Sequence, residues 1–378
     1  MPVVRDLNLV LALLGGLTLL LSLATGVVRS RVYVPTEPIA ATLFGVLVGP
    51  VGLDLLRLSA WGDPMVVMEE VTRLAVALAV TSIALRLPEQ YFRERAGSMA
   101  ALVGPGMVVM WLASSLVVLL VLGLPTWVAL LVGAAVTPTD PVLANSIVVG
   151  GTAEENIPTR LRYLVSGEAG ANDGAAYPLV FLAVLVLAHP DGAALTEWMT
   201  RTVLWAGVGA VVLGLVVGAT IGRVEEWASR RDFLDDASVF TVTIALTFAV
   251  VGIGKLIGVD DILAVFVAGL AYNWQADPRD EADQQQVEEV VNRLFTIPVF
   301  VLFGTVVPWS DWAALDAPSA CTPTTLASGF CAFTAVAMPA MRPPPPIGTT
   351  TVSSSGRSST ISRPIVPCPA ITISSSKA

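Results

Sequence analysis

Along the 378 residues, apolar positions gather into blocks bounded by Gly, Pro and short charged intervals. The blocks are close to the roughly 20 residues that a helix needs to cross a bilayer. Ten candidate spans follow, near residues 7–28, 38–57, 65–86, 97–122, 125–149, 160–188, 201–222, 237–257, 260–274 and 290–309. Three contain breakers in mid-block: Gly49-Pro50 in the second, Gly104-Pro105-Gly106 in the fourth, and Pro138 with Pro141 in the fifth. Backbone groups freed at such breaks must bond within the protein or line a water-filled cavity, so the pattern predicts an all-α polytopic membrane protein with a polar pathway.

Composition agrees, with 54% hydrophobic and 13% charged residues and a mean hydropathy of +0.75. Soluble domains carry about 25% charged residues. The first block is too long for the about 7 to 15 apolar residues of a signal peptide's core, and reads as a retained first helix. Loop charge sets the orientation. Twelve arginines fall in the odd-numbered loops, whereas the amino terminus and even loops hold only Arg5, Arg57, Arg201 and Lys255. The odd loops are therefore expected in the cytoplasm and the amino terminus outside. The net charge of −9 comes from carboxylates scattered through short loops, and no nucleic-acid partner is expected.

Residues 1–310 read as the membrane domain. From 311 to 378 the chain turns low in complexity and rich in Pro, Ser and Thr, with no Asp or Glu after Ala320. This composition favours disorder. A natural tail or a shifted reading frame would each produce it, and the second is favoured. Cys321, Cys331 and Cys368 show neither metal-ligand nor redox spacing, and His189 reads as a loop residue without a special role.

Ionisable side chains inside a bilayer cost about 2.5 to 3.5 kcal/mol on insertion scales, so their default reading is functional. Three carboxylates qualify: Asp140, Glu168 and Asp173. In "TPTDPV" the prolines disfavour helical geometry, which leaves oxygens of Thr137 and Thr139 for a cation. In "SGEAGANDG" the four-residue spacing puts Ala169 with Asp173 on one face and Glu168 with Asn172 on the next. A carboxylate removed from water holds its proton more tightly, so proton and cation compete for one pair of oxygens. Blander readings are a capping aspartate at 140, an interhelical hydrogen bond at 172 and 173, and a supporting acceptor at 168. Glu69, Glu70 and Arg73 read as interfacial. Gly214, Gly218 and Gly222 form a small-residue stripe suited to packing within the subunit rather than to a dimer seam, and "DPRDEADQQQVEEVVNR" reads as a solvated surface linker.

"TPTDPVLA", followed some 25 residues later by "SGEAGANDG", resembles the sodium/proton antiporters of the monovalent cation:proton antiporter-1 family, and "DDILAVFVAGLAYN" resembles a later short helix of that family. The resemblance covers about residues 7 to 309. It implies an inverted-repeat fold and electroneutral exchange of a monovalent cation, Na⁺ in the first place, for a proton, without a cofactor. By the same resemblance Asp173, Asp140 and Thr139 bind the ion, with Asp173 and Asp140 as the metal-ligating carboxylates, while Asn172 and Glu168 support the site; Thr137, from the broken segment, is read as a further supporting residue. Its implied partners are the cation, the proton and membrane lipid, in the cell membrane, with a homodimer left open. Ala169 stands where relatives often carry Ser. The second broken helix, and an arginine partnering the motif glutamate, belong beyond residue 310, so the second repeat reads as incomplete. The alternatives are an inactive truncated antiporter and an intramembrane aspartyl protease, although the Gly-rich aspartate motif of such proteases is absent from the sequence.

Overall fold

A computed structural model describes residues 2–28, 37–140, 144, 148, 151–188, 193–231, 236–275 and 281–309. Among them there is no β-strand: the fold is all-α. In chain order the helices are α1 (Pro2–Val28), α2 (Glu37–Val48), α3 (Pro64–Leu85), α4 (Glu89–Leu122), α5 (Thr126–Ala135), α6 (Gly151–Asn156), α7 (Thr159–Ala188), α8 (Ala194–Ser229), α9 (Asp236–Ile257), α10 (Asp261–Asn273) and α11 (Glu281–Val306). The tail predicted over 311–378, the three cysteines and His189 lie outside the described residues, as do the positions beyond residue 310 to which the second broken helix and its arginine were assigned.

Helix ends follow local chemistry. Asp63 caps α3, its side chain accepting from the Met65 N–H at 2.9 Å, and Pro64 occupies the first turn, where its missing N–H costs nothing. Gly123 ends α4 at φ 62°, a left-handed conformation that glycine adopts without penalty. Asp260 caps α10 by accepting from the Leu263 N–H at 3.0 Å.

The predicted break at Gly49-Pro50 is present: α2 stops at Val48 and a loop follows. The predicted break at Gly104-Pro105-Gly106 is not. There the chain stays helical and widens into a π segment, Leu102–Gly106, within α4. A wider turn accommodates a residue that lacks an N–H, so proline here deforms the helix without ending it. The acidic stretch read as a linker is helical from Glu281 onward, its Glu, Gln and Val residues offering no breaker before Pro298.

Of the described helices, α4, α7 and α8 are long and apolar enough to cross a membrane. Shorter apolar segments accompany them, including α2, α5 and α10. At 1.5 Å per residue, the 13 residues of α10 reach only partway across a hydrocarbon core of about 30 Å. Val109, Leu116, Val117 and Leu120 on α4 are exposed, the arrangement expected of a face turned to lipid.

Helix α10 lies at the centre. Val265, Phe266 and Ala268 share one apolar cluster with Ala77, Val80 and Ile83 of α3, Ala210 of α8 and Val250 of α9. A second cluster joins α1, α2, α3 and α11, and a third joins Met107 and Trp111 of α4 to α5 and α7. Small residues allow the closest approaches, as they do where lipid removes the usual hydrophobic drive. The stripe Gly214, Gly218 and Gly222 faces Ala264, Ala268 and Tyr272 of α10. Intrasubunit packing is therefore what this stripe does.

Candidate ion site at the break after α5

The break after α5 positions the first half of the site. Helix α5 ends at Ala135, and residues 136–140 are non-helical. Helical hydrogen bonding resumes where the Ala144 N–H donates to the Asp140 carbonyl at 2.9 Å. Thr137 is buried, and its hydroxyl donates to the Gly133 carbonyl at 2.7 Å. That hydroxyl proton closes the last turn of α5, which places Thr137 as a support of the broken segment.

Thr139 points to α7. Its hydroxyl donates to Glu168 Oε2 at 3.0 Å and accepts from Asn172 Nδ2 at 2.6 Å. The second Nδ2 proton goes to Glu168 Oε1 at 2.8 Å. Three side chains close a ring in which each donor has an acceptor. The four-residue spacing that puts Glu168 and Asn172 on one face of the helix, as read from the sequence, brings them close enough for the third bond. Asn172 is 1% exposed, and with both amide protons committed its Oδ1 has no donor among the described residues.

Asp173, the next residue, is half-buried in the middle of α7, and none of the described side chains donates a hydrogen bond to it. The carboxylates of Asp140, Asp260 and Glu168 all lie within its electrostatic reach. Asp140 itself is exposed. Ala169, placed by spacing on the face of Asp173, is fully buried, so the two residues share a helix side but not an environment. Gly170 and Gly174 bring α7 close to α10: a Cβ at Gly174 would meet Leu263 Cβ at 2.6 Å, and one at Gly170 would meet Phe266 Cε2 at 2.6 Å.

The sequence reading missed a second polar cluster. Arg73, read as interfacial, is buried and donates to Asp261 of α10 at 2.8 Å and also to Glu70. Glu69, likewise read as interfacial, is 6% exposed and lies 3.5 Å from Lys255 Nζ. A signal was available: an arginine in one apolar block and an aspartate pair opening another both need opposite charge nearby.

Among the described residues, an all-α, apolar fold thus sets an unwound segment beside several carboxylates. The chain belongs to the sodium/hydrogen exchanger family, whose transmembrane model matches residues 16–362, and it is accordingly an integral membrane protein. It is 33% identical over 301 residues to the Na(+)/H(+) antiporter 2 of Zygosaccharomyces rouxii, covering 79% of this chain and 37% of that one. With the Na(+)/H(+) antiporter of Saccharomyces cerevisiae it shares 31% identity over 305 residues, 80% of this chain and 31% of that one. The chain thus spans roughly a third of the length of these two curated relatives. Its fold is similar to that of the sodium proton antiporter MjNhaP1 from Methanocaldococcus jannaschii, with a TM-score of 0.61, 19% identity, and coverage of 88% of this chain and 79% of that one.

Proposed function

We propose that the chain exchanges a monovalent cation, Na⁺ first among them, for a proton across the membrane, with Asp173 as the group that holds one or the other. Asp140 and the backbone around Thr139 supply further cation oxygens, while Glu168 and Asn172 fix the unwound segment and Thr137 closes the turn before it. One observation carries this reading: the Thr139–Glu168–Asn172 ring holds its own three side chains in place and leaves the neighbouring Asp173 free of donors among the described residues. A carboxylate without fixed donors, shielded from bulk water, binds either H⁺ or a cation and releases one on taking up the other. One titrating group exchanging one charge for one makes the cycle electroneutral.

The test is Na⁺-driven proton movement in proteoliposomes. The wild-type chain is expected to move protons when Na⁺ is added, and Asp173→Asn to abolish the response while the folded yield is kept. Unchanged exchange in Asp173→Asn overturns the assignment. The relatives' names, Na(+)/H(+) antiporter, favour Na⁺ as the first cation to try.

A further inference from the structure

The Arg73–Asp261 pair lies outside the ring at Thr139 and has no part in the exchange step described above. Both side chains are nearly sealed from solvent, at 11% and 3% exposure. Burying an ion pair costs desolvation that its attraction often fails to recover. Nor is the pair required to hold α3 against α10, because Ala77, Val80 and Ala84 already pack on Val265 and Ala268, and a Cβ at Gly269 would meet Ala84 Cβ at 2.7 Å.

The pair's position suggests another role. Asp261 adjoins Asp260, which caps α10 through the Leu263 N–H and donates its own N–H to the Ala206 carbonyl at 3.1 Å. Leu263, at the first turn of α10, packs at Gly174, the residue after Asp173. Asp260 interacts electrostatically with Asp173, and Asp260 and Asp261 both interact with Tyr177, one turn along α7. Two carboxylates therefore stand at the end of α10 that packs on α7 next to Asp173, and Arg73 offsets one of them. The charges around them are Glu69 and Glu70 of α3 and Lys255 of α9. The loop-charge bias assigns this end of α3 and α10 to the outside.

We propose that Arg73 is a positioning residue for exchange at Asp173: by neutralising Asp261 it leaves a cation on the outer approach one uncompensated carboxylate, Asp260, instead of two. The inference rests on the function proposed above. Without Arg73, Asp261 would hold the cation short of Asp173. Without Asp261, the guanidinium would repel it.

The experiment measures the apparent KM for Na⁺ of Arg73→Met, Asp261→Asn and the double variant in proteoliposomes. A unit charge within the protein, at an effective dielectric of about 20, predicts changes of about tenfold. They should run in opposite directions: KM falls with a reduced turnover in Arg73→Met, rises in Asp261→Asn, and returns to within about twofold of wild type in the double variant. A purely structural pair would shift KM in the same direction in both single variants, or lower folded yield in both with KM unchanged, and either result overturns the proposal. If the wild-type chain does not exchange, the function reading fails on its own. The Na⁺ concentration giving half of the maximal thermal stabilisation is then measured in the same variants. Opposite shifts there uphold the role of Arg73, and shifts in one direction overturn it.

Discussion

Asn172 Nδ2 donates to the Thr139 hydroxyl across 2.6 Å, joining the unwound segment after α5 to the middle of α7. Because that hydroxyl in turn donates to Glu168, neither residue can be removed without disturbing the other's bond. Hydrogen bonds to a carboxylate are worth about 1.5 to 3 kcal/mol each. Asn172→Ala and Thr139→Ala are each expected to destabilise the protein by about 2 kcal/mol, and the double variant to cost about 1 kcal/mol less than the two together. Reversible unfolding in detergent measures all three. Full additivity would show that the two side chains act independently and that the ring is not a unit.

Thr137 and Thr139 stand two residues apart in the same broken segment, yet their hydroxyls do different work. The Thr137 hydroxyl donates its proton to the Gly133 carbonyl inside a buried turn. Thr137→Val keeps the shape and deletes that bond, so a stability loss of about 1 kcal/mol is expected. The apparent KM for Na⁺ should stay within about twofold of wild type, since a lost direct ligand would shift it about tenfold, the equivalent of 1.4 kcal/mol. Paired KM and unfolding measurements separate these outcomes, and a tenfold rise would return Thr137 to the ion.

How much of this was legible in the sequence depended on how far apart the partners lie. The bond between Glu168 and Asn172 follows from one helical turn, and the break at Pro138 follows from proline's missing donor, so half of the ring could be read from spacing alone. The π segment at Pro105 could not, because the same Gly-Pro-Gly string can end a helix or widen one, and neighbouring turns decide. The Arg73–Asp261 pair links positions 188 apart. Its two charges were visible as anomalies in apolar blocks, but only the packing of α3 on α10 joins them. The carbonyl that takes the Thr137 hydroxyl lies one turn upstream, and spacing allowed that bond as readily as a cation.

The packing of α8 on α10 gives a prediction independent of ions. At Gly218 an added Cβ would lie 2.8 Å from Ala268 Cα and closer still to the Ala268 carbonyl oxygen. Those are backbone atoms, which cannot rotate aside as a side chain could, so the helices themselves would have to separate. Gly218→Ala should therefore cost about 1 to 3 kcal/mol through overpacking. Gly252 in α9 is the control: nothing lies within 4 Å of its added Cβ, and alanine there should gain up to about 1 kcal/mol from helix propensity. Thermal unfolding of both variants in detergent is expected to move in opposite directions. A Gly218→Ala protein as stable as wild type would show that α8 and α10 do not approach this closely in the membrane. The central place of α10 beside Asp173 would then need a different support.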